Sequence, residues 1–188
     1  LMKFILGSQS PRRKELLTAM GYDFEILIPS VDEIFPETIS PYLVAEYISN
    51  LKLNALIPQI DSEDLLICAD TIVLLENEIL GKPTDRIDAE KMLGKLSGKT
   101  HEVITGVSIY FKGNQVDFSE RTSVRFKVLN QNEISFYLDK GDAFDKAGSY
   151  GIQDWIGAIG IERIDGSYTN VMGLPTQKLQ MEITKLLV

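Results

Sequence analysis

The sequence contains only one cysteine and one histidine among its 188 residues. Because Cys68 is alone, no disulfide can form within the chain, and a reducing compartment, the cytoplasm, is the expected location. His101 alone cannot supply a zinc finger, an HExxH motif or any other site built from several histidines. Any metal ion must therefore be held mainly by oxygen ligands, which favours magnesium or manganese.

Long apolar runs and an excess of positive charge are also absent. No run approaches the roughly 20 residues that cross a bilayer, and no secretory signal is visible, so we expect no membrane partner. The net charge of −8 argues against a nucleic-acid-binding protein, which normally carries a basic face. A small polyanionic ligand stays compatible with this charge if the cationic side chains are gathered in one place.

The chain has the size and composition of one globular domain. Its hydrophobic content is 44% and its charged content is 24%, both ordinary for such a protein. A chain of this length can bury a sizeable core, so we expect a single domain over residues 1–188, with two lobes that are not independent domains.

Apolar periodicity and turn residues predict a mixture of strands and helices. The predicted strands are 3–7, 22–28, 65–75, 103–111, 116–128 and 156–164, and the predicted helices are 11–20, 41–57, 85–96, 130–140 and 175–187. Strands and helices do not alternate strictly, which favours an α/β fold with a mixed twisted sheet and flanking helices over a purely parallel sheet.

The start of the chain carries the first candidate site. Ser8 and Ser10 end an apolar run, Pro11 suits a first helical turn, and Arg12 and Arg13 follow at once. The N–H groups and dipole of a helix N-terminus attract an anion, and two guanidinium groups strengthen that attraction. The alternative interpretation is that Ser10 caps the helix while both arginines are solvated.

Two further segments place polar residues in unusual positions. Asp70 interrupts an apolar strand, where an unpaired carboxylate is costly to bury, so it is either a metal ligand or general base, or the cap of a turn. Lys82 lies between Gly81 and Pro83 and is either a ligand-binding lysine or a solvated one.

The remaining segments combine glycine with polar residues. Ser97–His101 lacks the glycine spacing of a P-loop, which excludes a P-loop ATPase and leaves a tight loop that presents Lys99 and His101. Residues 145–153 indicate either a close approach of backbone to a ligand or a structural bend, and residues 166–175 combine turn residues with a helix start. Cations, carboxylates and tight loops together favour metal-assisted attack on a phosphate.

In this order, the segments resemble the Maf family of nucleoside triphosphate pyrophosphatases over nearly the whole chain. The matching motifs are Ser-x-Ser-Pro-Arg-Arg at 8–13, Ala-Asp-Thr at 69–71, Ser-Gly-Lys-x-His at 97–101, Asp-Lys-Ala-Gly-x-Tyr-Gly-Ile-Gln at 145–153 and Gly-Ser-Tyr-x-Asn-Val-x-Gly-Leu-Pro at 166–175. The resemblance implies a fold like that of the inosine triphosphate pyrophosphatases, with a cleft between two lobes. It also implies hydrolysis of a nucleoside triphosphate to the monophosphate and pyrophosphate with a divalent cation, in the cytoplasm, and suggests a homodimer.

The resemblance also assigns roles to individual residues. Asp70 matches the proposed proton acceptor, and Glu33 and Asp70 match the metal ligands. The positions that match the binding site of the polyphosphate are Ser8, Arg12, Arg13, Lys52 and Lys82. Lys52 is followed by Leu53 where the family usually has alanine, so its match is the weakest of these.

Three positions distinguish the branches of the family. Arg12, Thr71 and Gln153 match the branch that acts on dTTP and UTP, whereas the branch that acts on 7-methyl-GTP carries tryptophan at the first and glutamate at the last. A glutamine amide both donates and accepts, as the N3–H and neighbouring carbonyl of such a pyrimidine require. We therefore expect hydrolysis of dTTP and UTP, with modified pyrimidine nucleotides still open. The alternative is a nucleotide-binding regulator of septum formation and cell division with little or no turnover.

Overall fold

The computed structural model describes residues 2–188 and has an α/β architecture. The strands are β1 (Phe4–Gly7), β2 (Phe24–Ile26), β3 (Leu65–Leu75), β4 (Glu78–Leu80), β5 (Thr100–Phe111), β6 (Asn114–Phe126) and β7 (Ile161–Asp165). The α-helices are α1 (Pro11–Ala19), α2 (Val44–Leu56), α3 (Arg86–Leu96), α4 (Gln131–Asp139), α5 (Trp155–Gly160), α6 (Tyr168–Met172) and α7 (Thr176–Leu187).

The seven strands form one mixed sheet in the order β2-β1-β3-β5-β6-β7, with β4 paired to β3. β1 runs parallel to β2 and to β3, so that Gly7 is opposite Cys68. β4 and β7 run antiparallel to their partners β3 and β6. The predicted α/β class with a mixed sheet and flanking helices is therefore confirmed.

The chain divides into two compact units. The first comprises the chain up to Asp70 together with Thr105–Glu120 and Gly173–Val188, and the second comprises Thr71–Ile104 and Arg121–Met172. In the first unit, Ile5, Leu53, Leu56, Leu66 and Cys68 form a buried apolar cluster between β1, β3 and α2. In the second unit, a larger buried cluster draws on α3, α4, β6 and the second half of β3.

Most predicted elements are confirmed, with shifts of a few residues at their ends. α2 begins at Val44 because Pro41–Leu43 forms a 3₁₀ turn before it. β3 runs without interruption through Asp70, so the interpretation of Asp70 as a turn cap at a strand end is wrong. α3 is capped by Asp85, whose side chain accepts the Asp88 N–H.

The predicted strand over 156–164 is wrong in its first half. Residues Trp155–Gly160 form α5, and only Ile161–Asp165 forms a strand. Ile156 and Ile159 are three residues apart, which is the spacing of one helical face, and both pack in the core of the second unit. The short elements β4 and α6 had no prediction. Across residues 2–188, no helix combines the length and the apolar character that crossing a membrane demands.

Candidate active site

Six of the predicted site residues lie in the first unit, and three of them lie near the turn between β1 and α1. Ser8 is buried, and its Oγ accepts the Ser10 N–H at 3.1 Å and Arg13 Nη1 at 3.3 Å. Arg13 Nε also donates to the Gly173 carbonyl at 2.8 Å. Ser10 caps α1 by accepting the Arg13 N–H at 3.4 Å, as the alternative interpretation expected. Arg13, however, is half-buried and hydrogen-bonded, so its solvated interpretation is wrong.

Lys52 of α2 links two carboxylates. Its Nζ lies 2.7 Å from Asp70 Oδ1 and 2.8 Å from Glu33 Oε1. Lys52 and Asp70 are buried, whereas the Glu33 side chain, in the loop between β2 and α2, is about half exposed. The Lys52 ammonium therefore holds an exposed carboxylate and a buried one at the same place.

Opposing effects set the charge of Asp70. Burial raises the pKa of the Asp70 carboxyl above its ordinary value, while the charges of Lys52 and Arg13 lower it and Glu33 raises it. The charge of Arg13 therefore acts on this carboxyl together with that of Lys52. A carboxyl with a raised pKa is better suited to accept a proton near neutral pH than an ordinary aspartate.

Arg12 lies beside Arg13 and is half-buried, and the positive charge of Arg12 lowers the pKa of Arg13. Burial is the larger cause of that lowered pKa. Arg13 thus lies within electrostatic reach of both Arg12 and Asp70, in a protein with a net charge of −8.

The carboxylates limit how a metal ion can be held. Within residues 2–188, no group of three or more His, Cys, Asp or Glu side chains is arranged to hold a metal ion. Glu33 and Asp70 supply two carboxylates at one place. Magnesium is commonly bound by one or two carboxylates together with the phosphates of a substrate, so this donor set fits a metal ion that binds with the triphosphate.

The other three predicted residues belong to the second unit. Thr71 follows Asp70 in β3, and Lys82 is exposed in the loop after β4. The Gly81 carbonyl accepts the Gly148 N–H at 3.0 Å. This hydrogen bond joins the Lys82 loop to the motif at 145–153, which includes Gln153. The Gln153 side chain is exposed, although Tyr150, Gly151 and Ile152 before it are buried.

The prediction that a tight loop presents His101 is wrong. His101 lies in β5 with 1% of its surface exposed. Its Nε2 lies 2.7 Å from the Tyr150 hydroxyl, and its ring stacks on Phe126 with the centroids 5.5 Å apart. Burial lowers the pKa of His101 to about 4, so the ring is neutral at physiological pH.

Sequence reasoning missed two residues that act on this segment, Tyr137 and Asp154. The Tyr137 hydroxyl donates to Asp154 Oδ2 at 2.7 Å and accepts the Gly151 N–H at 3.2 Å. The only sequence signal that pointed to Asp154 is its position directly after the motif at 145–153. In the sequence, nothing distinguishes Tyr137 from an ordinary core residue of α4.

Buried polar contacts also hold the motif at 166–175. Asn170 in α6 donates from Nδ2 to the Val103 carbonyl at 3.1 Å and to Thr122 Oγ1 at 2.9 Å. The Ser167 N–H also donates to Thr122 Oγ1, at 3.0 Å. This part of the motif therefore joins α6 to β5 and β6, and a helix start that binds an anion is not needed to explain it.

Known proteins resemble this chain over almost its whole length. A dTTP/UTP pyrophosphatase of Bacteroides fragilis (strain YCH46) is 49% identical over 185 residues, 98% of this chain and 96% of that protein. Enzymes with the same name from Flavobacterium psychrophilum and Thermosipho africanus are each 48% identical, covering 95% of this chain and 92% and 90% of those proteins. Among solved structures, a nucleoside-triphosphatase / dITP/XTP pyrophosphatase of Mycobacterium abscessus matches with a TM-score of 0.44 and 14% identity, covering 99% of this chain and 94% of that one.

The family comparison agrees with the motifs. The model of the family described as Maf-like protein matches residues 3–186, which include both compact units and every predicted site residue. The resemblance that the sequence motifs indicated is thus confirmed, and the chain belongs to the Maf-like protein family.

Proposed function

We propose that this protein is a nucleoside triphosphate pyrophosphatase that hydrolyses dTTP and UTP to the monophosphate and pyrophosphate. The observation that carries the proposal is the cluster of Lys52, Glu33 and Asp70 in the first unit, in which the buried Asp70 contacts Lys52 and also feels the charge of Arg13. The names of the relatives that are 48–49% identical support the substrate pair.

In this mechanism, water attacks the α-phosphorus, its oxygen forms a new bond to phosphorus, and the bond to the bridging oxygen of the β-phosphate breaks. Asp70 accepts the proton of the attacking water, and its raised pKa makes it a competent base. Arg12 and Arg13 compensate the charge that develops on the leaving pyrophosphate. Lys82 is also proposed to bind the polyphosphate.

Magnesium or manganese is the proposed cofactor, and Glu33 and Asp70 are the residues that would hold it. When bound, such an ion would neutralise phosphate charge and polarise the reacting phosphoryl group. Lys52 keeps both carboxylates together, because its single ammonium contacts each of them within 2.8 Å. Its burial and these contacts support a positioning role for Lys52 in addition to a direct role at the phosphates.

Base recognition is assigned to Thr71 and Gln153, with Arg12 as the third branch-specific position. The Gln153 amide is exposed and can donate to a pyrimidine carbonyl while it accepts from N3–H.

Cytoplasmic location and assembly as a homodimer belong to the same proposal. Sedimentation of the purified chain tests the dimer, and the net charge of −8 supports the expectation that nucleic acid is not a partner.

The proposal is tested by release of pyrophosphate from dTTP, UTP, CTP, GTP and 7-methyl-GTP, each with and without Mg2+ or Mn2+. We expect turnover of dTTP and UTP in the presence of metal, and loss of at least about 100-fold in Asp70→Asn, since general-base catalysis contributes on that order. Asp64→Asn is the matched control, because Asp64 is buried at the start of the same strand but only accepts the Lys3 N–H.

Two outcomes would contradict the proposal. Near-normal turnover by Asp70→Asn would remove the assigned base. Tight binding of dTTP without formation of the monophosphate, in excess metal, would favour the nucleotide-binding regulator instead.

A further inference from the structure

The turn that carries Gln153 is anchored at its beginning by a buried aromatic cluster. The Tyr150 hydroxyl lies 2.7 Å from His101 Nε2, and both residues are at most 5% exposed. The Tyr150 ring also meets Phe126 edge to face, with centroids 4.9 Å apart. β5 and β6 therefore fix Tyr150, three residues before Gln153.

A second anchor holds the turn on both sides of Gln153. Tyr137 of α4 is fully buried, and its hydroxyl accepts the Gly151 N–H while it donates to Asp154 Oδ2. Asp154 is also 3.4 Å from the buried Lys146 ammonium. A Cβ atom at Gly151 would overlap the Asp154 carboxylate, so only glycine allows this close approach.

The result is one exposed amide on an otherwise buried, hydrogen-bonded segment. Burial of hydroxyl, imidazole, carboxylate and ammonium groups carries a desolvation cost, and here their bonds converge on residues 150–154. An ordinary surface loop needs none of these bonds. A binding residue, by contrast, gains from a main chain that is already fixed before the ligand arrives.

We propose that Tyr137 and the His101–Tyr150 pair are positioning residues that hold the main chain at Gln153 in place for binding of the pyrimidine. The inference rests on the proposed function, in which Gln153 reads the base. On a fixed main chain, the Gln153 side chain binds the base without the entropic cost of ordering residues 150–154, which lowers KM. The amide turns about its own side-chain bond whether or not the main chain is fixed, so these anchors act on affinity and not on the choice between uracil and cytosine.

The test compares Tyr137→Phe with the wild type for UTP. The substitution keeps the buried ring but removes the hydroxyl that holds Gly151 and Asp154. We expect KM for UTP to rise about tenfold, the weight of one hydrogen bond, with kcat nearly unchanged.

Ser108→Ala is the control for lost stability. Ser108 is buried in the first unit, and its Oγ lies 2.8 Å from Ser49 Oγ. This variant also loses a buried hydrogen bond, but we expect it to keep the wild-type KM for UTP. A Tyr137→Phe enzyme that loses kcat while its KM stays unchanged would overturn the inference, since that is the result of a merely structural role.

Amide hydrogen exchange tests the anchor without relying on activity. In Tyr137→Phe, we expect the Gly151 N–H to exchange at least about tenfold faster than in Ser108→Ala, because it loses its acceptor. Unchanged exchange would overturn the inference. Absence of pyrophosphate release by the wild type would instead contradict the proposed function, and the exchange result would still decide whether Tyr137 fixes the turn.

Discussion

Burial of His101 makes folding stability depend on pH in a way that can be calculated. The ring has a pKa of about 4 in the folded protein and about 6.5 in an unfolded chain. Because the unfolded chain binds the proton more readily, stability is fully present above pH 6.5 and is lost as the pH falls toward 4. From pH 7.5 to pH 5 the loss from this one residue is about 2 kcal/mol.

The perturbation that isolates this effect is His101→Gln, which can still bond to Tyr150 but cannot take up a proton. Chemical unfolding at several pH values gives the free energy of unfolding of each protein. We expect the difference between wild type and variant to shrink by about 2 kcal/mol between pH 7.5 and pH 5, or about 4–8 °C in Tm for a chain of this size.

A second variant tests the cause of the lowered pKa of His101. Burial alone lowers it, and within residues 2–188 the buried Nδ1 finds no hydrogen-bond partner. Tyr150→Phe should therefore reduce stability by a similar amount at every pH and retain the wild-type slope. Parallel pH curves for wild type and His101→Gln would refute the reasoning, because they would mean that the folded protein accommodates the charged ring.

The two remaining predictions concern the first unit and α3. Gly106→Ala should lose about 3 kcal/mol or more of stability, because its Cβ would overlap the backbone at Glu46. Gly94→Ala, which is open to solvent in α3, should be neutral or gain up to about 1 kcal/mol. Thermal denaturation compares the two variants, and equal Tm values would contradict the close approach at Gly106. Lys52→Met should lose about 3 kcal/mol by leaving Asp70 buried without its partner, and the double variant Lys52→Met/Asp70→Leu should recover most of it without regaining activity. A double variant as unstable as the single one would mean that the ion pair itself stabilises the fold.

The α/β class and most elements could be predicted because apolar periodicity is a local signal. β3 was recognisable from its continuous apolar run, and the hairpin β5–β6 from alternation on either side of Lys112 and Gly113. α5 was not predicted, since a helix of six residues is too short to show a clear period. Packing of Ile156 into the core of the second unit makes the choice, and a single sequence does not state that packing.

The candidate site divides in the same way. Asp70 stood out because a carboxylate inside an apolar strand needs a partner, and the partner proved to be Lys52, 18 residues earlier in the chain. No spacing rule joins these two positions. Lys52 therefore entered the prediction only through resemblance to a family, and the role of Tyr137 did not enter at all.

Burial of His101 also changes how the motif Ser97–His101 is understood. Presented on a loop, a histidine close to Lys99 would be a candidate proton donor. Because the pKa of His101 is about 4 and its Nε2 lies next to the Tyr150 hydroxyl, the ring is instead neutral and serves to hydrogen-bond Tyr150. The motif at 97–101 and the motif at 145–153 then form one structural pair, because the histidine of the first holds the tyrosine of the second. Motifs that look like separate pieces of chemistry in the sequence are in this case the two halves of a single buried contact, and the chemistry belongs to the exposed residue that the contact supports.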